Sequence, residues 1–129
     1  MAAYTITHTT GIKKRAAGDM GGNYFFTLIG TVGETAAHIC PANREKGQTG
    51  SCNLQDRSRI GRLNALKIKN IVDDGWRFVF MEVQVAGLTG SWRYQGDIVL
   101  GHKKSLILNL VLMFMFFPSK CLSFKFSII

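Results

Sequence analysis

Residues 23–30 read NYFFTLIG, with Gly21 and Gly22 before them and Gly30 and Gly33 around the exit. A short run of aromatic, β-branched and aliphatic side chains between glycine turns predicts a buried strand, because it is too short for a stable helix. Phe25, Phe26 and Ile29 also favour a pleated surface. A strand buried in this way needs others laid around it, and the rest of the first hundred residues can supply them.

Residues 4–10 (YTITHTT) alternate, placing Tyr4, Ile6 and His8 on one face and threonines on the other, until Gly11 ends the run. A basic, glycine-rich loop (IKKRAAGDMGG) leads into the central run. Residues 34–40 predict a weaker strand stopped by Pro41, followed by a polar loop, a short extended piece at 51–54 and a charged turn, QDRSR. Residues 60–72 hold a strand in which Leu66 and Ile68 alternate with Lys67 and Lys69, which gives it one wet face. Asp73-Asp74-Gly75 is a strong turn signal.

Residues 76–85 (WRFVFMEVQV) then alternate, but apolar side chains occupy both parities. That mixture calls for a two-sided strand or a bulge near Met81. Extended pieces at 91–95 and 97–100 complete about eight short strands with glycine turns between them. The economical architecture is an all-β, antiparallel β-sandwich.

All fourteen glycines lie at or before Gly101, and the composition changes there. Residues 1–101 are therefore expected to form one domain, and 102–129 a hydrophobic tail outside it. Residues 106–117 (LILNLVLMFMFF) contain one polar side chain, Asn109, before Pro118. As a helix these residues would span roughly 18 Å, short of a bilayer core of about 30 Å. They would suit an interfacial segment or a C-terminal membrane contact with Lys103-Lys104 at its boundary, or a loosely packed terminal extension.

The formal net charge is +8, from sixteen Lys and Arg against eight Asp and Glu. Such a balance favours anionic partners. No helix-turn-helix or RNA-binding aromatic motif accompanies it, so nucleic acid is not expected. The start carries no basic-then-apolar leader pattern, which predicts a cytoplasmic protein, peripheral to a membrane or anchored in it. In that compartment Cys40, Cys52 and Cys121 stay reduced; an oxidising one would let Cys40 and Cys52 close a short loop.

Five pieces, in order, carry a resemblance to a known family. They are Thr10-Gly11 ending a strand, the Asn23-to-Gly30 strand, Gly47-x-Thr49, Ile60-Gly61-x-Leu63, and Trp76 opening a strand that ends Val83-x-Val85. Together, across residues 3–100, they resemble the PLAT (lipoxygenase homology) domain. The resemblance implies an eight-stranded sandwich of two four-stranded sheets. It also implies a non-enzymatic module that brings enzymes to membrane lipid or to protein partners, with Trp76 in the core.

Calcium-binding members of that family use the loops that correspond here to the segments around Asp19 and Asp73. In this chain Asp19, Asn23, Asn70, Asp73 and Asp74 offer hard oxygens for Ca²⁺, which takes six to eight. The chain departs from the family pattern by placing Gly21 where the usual Asp would stand. The bland alternative is that Asp73-Asp74-Gly75 is only a turn. Lys13, Lys14 and Arg15, with Met20 as an apolar tip, offer a contact with an anionic membrane or a partner, or else a solvated loop.

His38-x-Cys40 places two metal-capable side chains on one strand face, but a structural zinc site needs four ligands, and a packed His and thiol are the expectation. No Gly-x-Ser-x-Gly context surrounds a serine and the acids are scattered, so no catalytic residues are expected. The alternatives are a fragment of a larger lipid-metabolising enzyme, lipoxygenase- or lipase-like, and a structural protein held to a membrane by its tail.

Overall fold

The computed structural model describes residues 2–11, 22–42, 47–70, 76–101 and 104–113. Their strands are β1 (Ala2–Thr10), β2 (Gly22–Gly30), β3 (His38–Ala42), β4 (Thr49–Asp56), β5 (Leu63–Asn70), β6 (Trp76–Val85), β7 (Ser91–Leu100), β8 (Ser105–Asn109) and β9 (Val111–Met113). They form two antiparallel sheets, ordered β4-β1-β6-β7-β9 and β3-β2-β5-β8. The all-β sandwich is as the sequence predicts, with five strands in one sheet where four were expected.

Strand alternation places the core. In β1, Tyr4, Ile6, His8 and Thr10 point inward while Thr5, Thr7 and Thr9 stay half-exposed. In β2, Tyr24, Phe26 and Leu28 are at most 1% exposed and face Ile68 and Leu66 of β5. Only this inner side of β2 is fully apolar and sealed; Phe25 and Ile29 are half-exposed on the outer side. Trp76 is completely buried between the sheets at one end of the core, 4.5 Å from the Tyr24 ring and 5.0 Å from Phe78.

The mixed parity of β6 has a local cause. Thr9 pairs with Phe80 and Thr10 with Phe78, leaving Val79 as an extra residue. This bulge shifts the inward positions from Trp76 and Phe78 to Met81 and Val83, all four fully buried.

Pro41 does not stop β3. It pairs with Asn23 inside the strand, which is tolerated because β3 is an edge and needs no outward amide.

The second departure is at the C-terminal side. Residues 105–113, expected outside the domain, are edge strands: β8 pairs with β5, and β9 with β7. Without them β5 and β7 would be open edges, and the alternation of Leu106 and Leu108 supplies an inward face to cover one of them. Leu108 is buried, and Leu106 and Leu110 pack against the core. At Leu110, whose amide donates to the Asn64 carbonyl at 3.0 Å, the chain passes from one sheet to the other.

The Ile60-Gly61 pair closes the far end. Gly61 adopts a φ of 78°, open to glycine at little cost. Its neighbour Ile60 is buried and accepts the Val32 amide at 2.9 Å. A Cβ on Gly30 would run into the Ile60 carbonyl oxygen and carbon, both backbone atoms with little room to yield. Gly30→Ala is therefore expected to cost about 2 kcal/mol by overpacking. An unchanged urea midpoint would show that this end relaxes freely.

Candidate functional site

The segments that carry most of the candidate ligands spring from one end of the sandwich. There β1 finishes at Thr10, β2 begins at Gly22, β5 finishes at Asn70, β6 begins at Trp76 and β7 finishes at Leu100. Trp76 joins these ends: its indole Nε1 donates to Thr10 Oγ1 at 2.9 Å, and its backbone pairs with Leu100. The Gly11 amide donates to the Arg77 carbonyl at 3.0 Å, and the Gly47 amide to the Thr10 carbonyl at 3.0 Å. Arg77 is held in turn by an ion pair from its Nη1 to Asp97 Oδ2 at 2.7 Å. Strand ends fixed by a buried indole and backbone bonds form a rigid base for whatever the loops present.

Of the candidate metal ligands, Asn70 is fully buried. Its Nδ2 donates to the Leu100 carbonyl at 3.0 Å and its amide to the Lys104 carbonyl at 2.9 Å. The first bond ties β5 to β7 across the two sheets, and the second ties β5 to the residue before β8. Asn23 lies in β2 opposite Pro41. Asp19, Asp73 and Asp74, like Lys13, Lys14, Arg15 and Met20, lie outside the described residues. Among the described residues no group of three or more His, Cys, Asp or Glu is placed to hold a metal.

His38 and Cys40 are not a metal pair. Cys40 is bonded to Cys52, with 5.9 Å between the Cα atoms, so the bridge joins β3 of one sheet to β4 of the other. His38 Nε2 lies 2.6 Å from Asp56 Oδ2 along the same seam. Asp56 is buried and also accepts the Ser58 amide at 2.7 Å and the Ala36 amide at 3.2 Å. Hydrogen bonds from Ser58 above all, then from His38 and the Ala36 amide, outweigh burial and hold its carboxyl well below the usual carboxylate range. Burial, and then the charge of Asp56, push the Tyr4 phenol up. Nothing in QDRSR, which reads as a solvated turn, marks this seam; Asp56 closing β4 opposite Ala2 is what brings it inside.

Two hollows remain. One, of about 690 Å³ at the far end of the first sheet, is lined by Thr5, Asn53, Gln84 and Leu88 among others, and its one ionisable side chain is Tyr4. The other, of about 260 Å³, lies on the outer face of the second sheet between Phe25, Thr27, Ala37, Lys67 and Lys69. Neither brings a nucleophile to a base. Among the described residues no helix is long and apolar enough to cross a membrane.

No family model matches this sequence, and no curated protein does. Solved structures do. The lipoxygenase variant Delta413-417:GS LOX superposes with a TM-score of 0.74 at 14% identity, over 86% of this chain and 17% of that one. A coral 8R-lipoxygenase, whose description reads calcium activation via a C2-like domain, superposes at 0.68 and 13% identity, over 84% of this chain and 17% of its own. A calcium-dependent 11R-lipoxygenase gives 0.58 at 15% identity, over 85% and 17%. This chain thus spans about a sixth of the lipoxygenases it matches. The nine-stranded sandwich has the PLAT-like fold of the lipoxygenase N-terminal domain.

Proposed function

We propose that this chain is a non-catalytic PLAT-like module that binds membrane lipid, carrying whatever it is joined to or associated with toward a bilayer. The observation that supports the reading most is the similarity of fold to lipoxygenase domains, one of which is described as the route of calcium activation. The rigid strand-end base around Trp76, from which the segments with Lys13, Lys14, Arg15 and Asp73-Asp74 depart, is consistent with it. Three basic residues near an anionic leaflet contribute roughly 1 kcal/mol each, enough for weak peripheral contact. Calcium enters as an assisting ion at the oxygens of Asp19, Asn23, Asn70, Asp73 and Asp74.

A second reading has one observation in its favour. Because the chain spans 17% of the lipoxygenases it resembles, it also suits the targeting portion of a larger lipid-metabolising enzyme. The tail-anchored alternative loses ground, because residues 105–109 and 111–113 of the apolar run are taken up by the sheets.

Co-sedimentation of the full chain with neutral and anionic vesicles, with and without calcium, tests the proposal. More protein is expected to sediment with anionic vesicles. Calcium-enhanced binding that disappears in Asp73→Ala/Asp74→Ala supports the metal-assisted form. Calcium-independent binding that disappears in Lys13→Ala/Lys14→Ala leaves charge alone. No binding to either vesicle rejects the lipid reading and directs the search to a protein partner.

A further inference from the structure

The two outer faces of the sandwich differ in kind. On the first sheet the outward hydroxyls and amides are joined by exposed Val99, Val111 and Met113, and its outward charges are paired: Arg93 Nε with Glu82 Oε2 at 2.7 Å, and Arg77 with Asp97 at 2.7 Å. The threonines there are bonded too, Thr5 Oγ1 to Asn53 Oδ1 at 2.8 Å and Thr9 Oγ1 to Thr49 Oγ1 at 3.0 Å. Among the described residues such a face has its charges already satisfied and offers no further cation to a phosphate.

The second sheet is unlike it. None of its four strands contains an Asp or a Glu. Lys67 and Lys69 both project outward from β5 and are exposed, and among the described residues neither is in an ion pair. They stand two residues apart, roughly 7 Å along the strand. Across the sheet, Lys69 lies beside Phe25, which lies beside Ile39; Lys67 lies between Thr27 and Ile107. Ile39 and Ile107 are 56% and 55% exposed. They stand on the two edge strands, so three strand spacings, roughly 14 Å, separate them. Between them, Phe25, Thr27 and the two lysines border the hollow of about 260 Å³.

We propose that the outer face of the β3-β2-β5-β8 sheet is a docking surface for an anionic phospholipid bilayer, with Lys67 and Lys69 on lipid phosphates and Ile39 and Ile107 reaching the acyl boundary. Charge complementarity carries the assignment: none of the four strands carries an acid, and exposed Glu34 borders them beside Ile29, four residues along β2 from Phe25 and Lys69. The edge isoleucines and the half-exposed Phe25 add apolar contact that a soluble anion would not use. A bilayer interface supplies both layers at once, a sheet of phosphate above a hydrocarbon floor. The face is distinct from the loop end around Trp76, although the inference rests on the lipid-binding reading above.

The test uses the full chain on phosphatidylcholine vesicles with and without phosphatidylserine. Lys67→Gln/Lys69→Gln is expected to weaken binding to the phosphatidylserine vesicles roughly 30-fold, two basic contacts' worth. Arg57→Gln/Arg59→Gln removes the same charge from exposed positions off this face and is expected to change binding less than threefold, within the screened long-range effect. Ile39→Ser/Ile107→Ser is expected to weaken binding and steepen its salt dependence, because charge is then left as the main attraction. Equal losses in the lysine and arginine pairs would overturn the proposal, since net charge alone would account for them. Loss confined to Lys13→Gln/Lys14→Gln overturns it as well and leaves the general lipid-binding function standing. If the unmodified chain binds neither vesicle, both fall together.

Discussion

Asp56→Ala is expected to lower stability by about 3 kcal/mol, among the largest single effects in this molecule. The carboxylate sits at the end of β4, buried, with Oδ1 on the Ser58 amide and Oδ2 shared between the Ala36 amide and His38 Nε2. Removing it strands two backbone donors and the imidazole in a partly buried site, and the alanine offers nothing in return. Asp56→Asn keeps an acceptor for one of the amides and is expected to cost less.

The same carboxylate gives the stability a definite acid dependence. Its folded pKa is depressed below the unfolded value, so the stabilisation is complete above the unfolded carboxylate range, near 4, and is lost as pH falls from there toward the folded pKa. Urea denaturation of the native chain should show stability declining with pH below about 4, with a shallower decline in Asp56→Asn. Identical slopes in the two proteins would mean that Asp56 is no better placed folded than unfolded.

Breaking the Cys40–Cys52 bridge is expected to be comparably costly. The two cysteines are separated by 12 positions, and loops of about that size contribute roughly 3 kcal/mol by restricting the unfolded chain. In a domain of this size that corresponds to a fall in Tm of roughly 10 °C or more. Because the bridge clamps β3 to β4 at one side of the sandwich, the loss should be uneven. Amide exchange is expected to accelerate in β3 and β4 when a thiol reductant is added, and to change least in β7 and β9 on the opposite side. Uniform acceleration across both sheets would indicate that the seam is not a separate unit.

Much of the fold was legible because period-two alternation is local. Tyr4, Ile6 and His8 point inward as their spacing requires, and the glycine-bounded 23–30 run is a strand beside the centre of its sheet. Met81 and Val83 sit on the opposite parity from Trp76 and Phe78, a contradiction that only a bulge resolves, and the pairing places it at Val79. The apolar run after Gly101 was not legible as edge strands. A continuous hydrophobic stretch reads alike as an anchor, a buried helix or a sheet edge until its partners, β5 and β7, are known.

The candidate site was legible in outline only. The alternation of Lys67 and Lys69 marks a wet face in the sequence, but that the neighbouring strands carry no acid depends on which three lie alongside. The Cys40–Cys52 bridge was one of two options, since spacing permits it and only the meeting of β3 with β4 decides it. Asn70 sits in the motif order of a loop ligand, and its Nδ2 donates to the Leu100 carbonyl. A carboxamide serves a metal or a carbonyl equally well, so residue type alone does not distinguish the two.

The placement of β8 and β9 has a consequence for synthesis. A ribosome delivers this chain from the N-terminus, and β5 and β7 emerge before the strands that will flank them. Until residues 105–113 clear the exit tunnel, both sheets present bare backbone on the same side of the nascent domain. At elongation rates of roughly 5–20 residues per second, that exposure lasts on the order of seconds. The chain therefore passes through an adhesive state until these strands emerge, when a neighbouring nascent copy on the same message would be the nearest available strand.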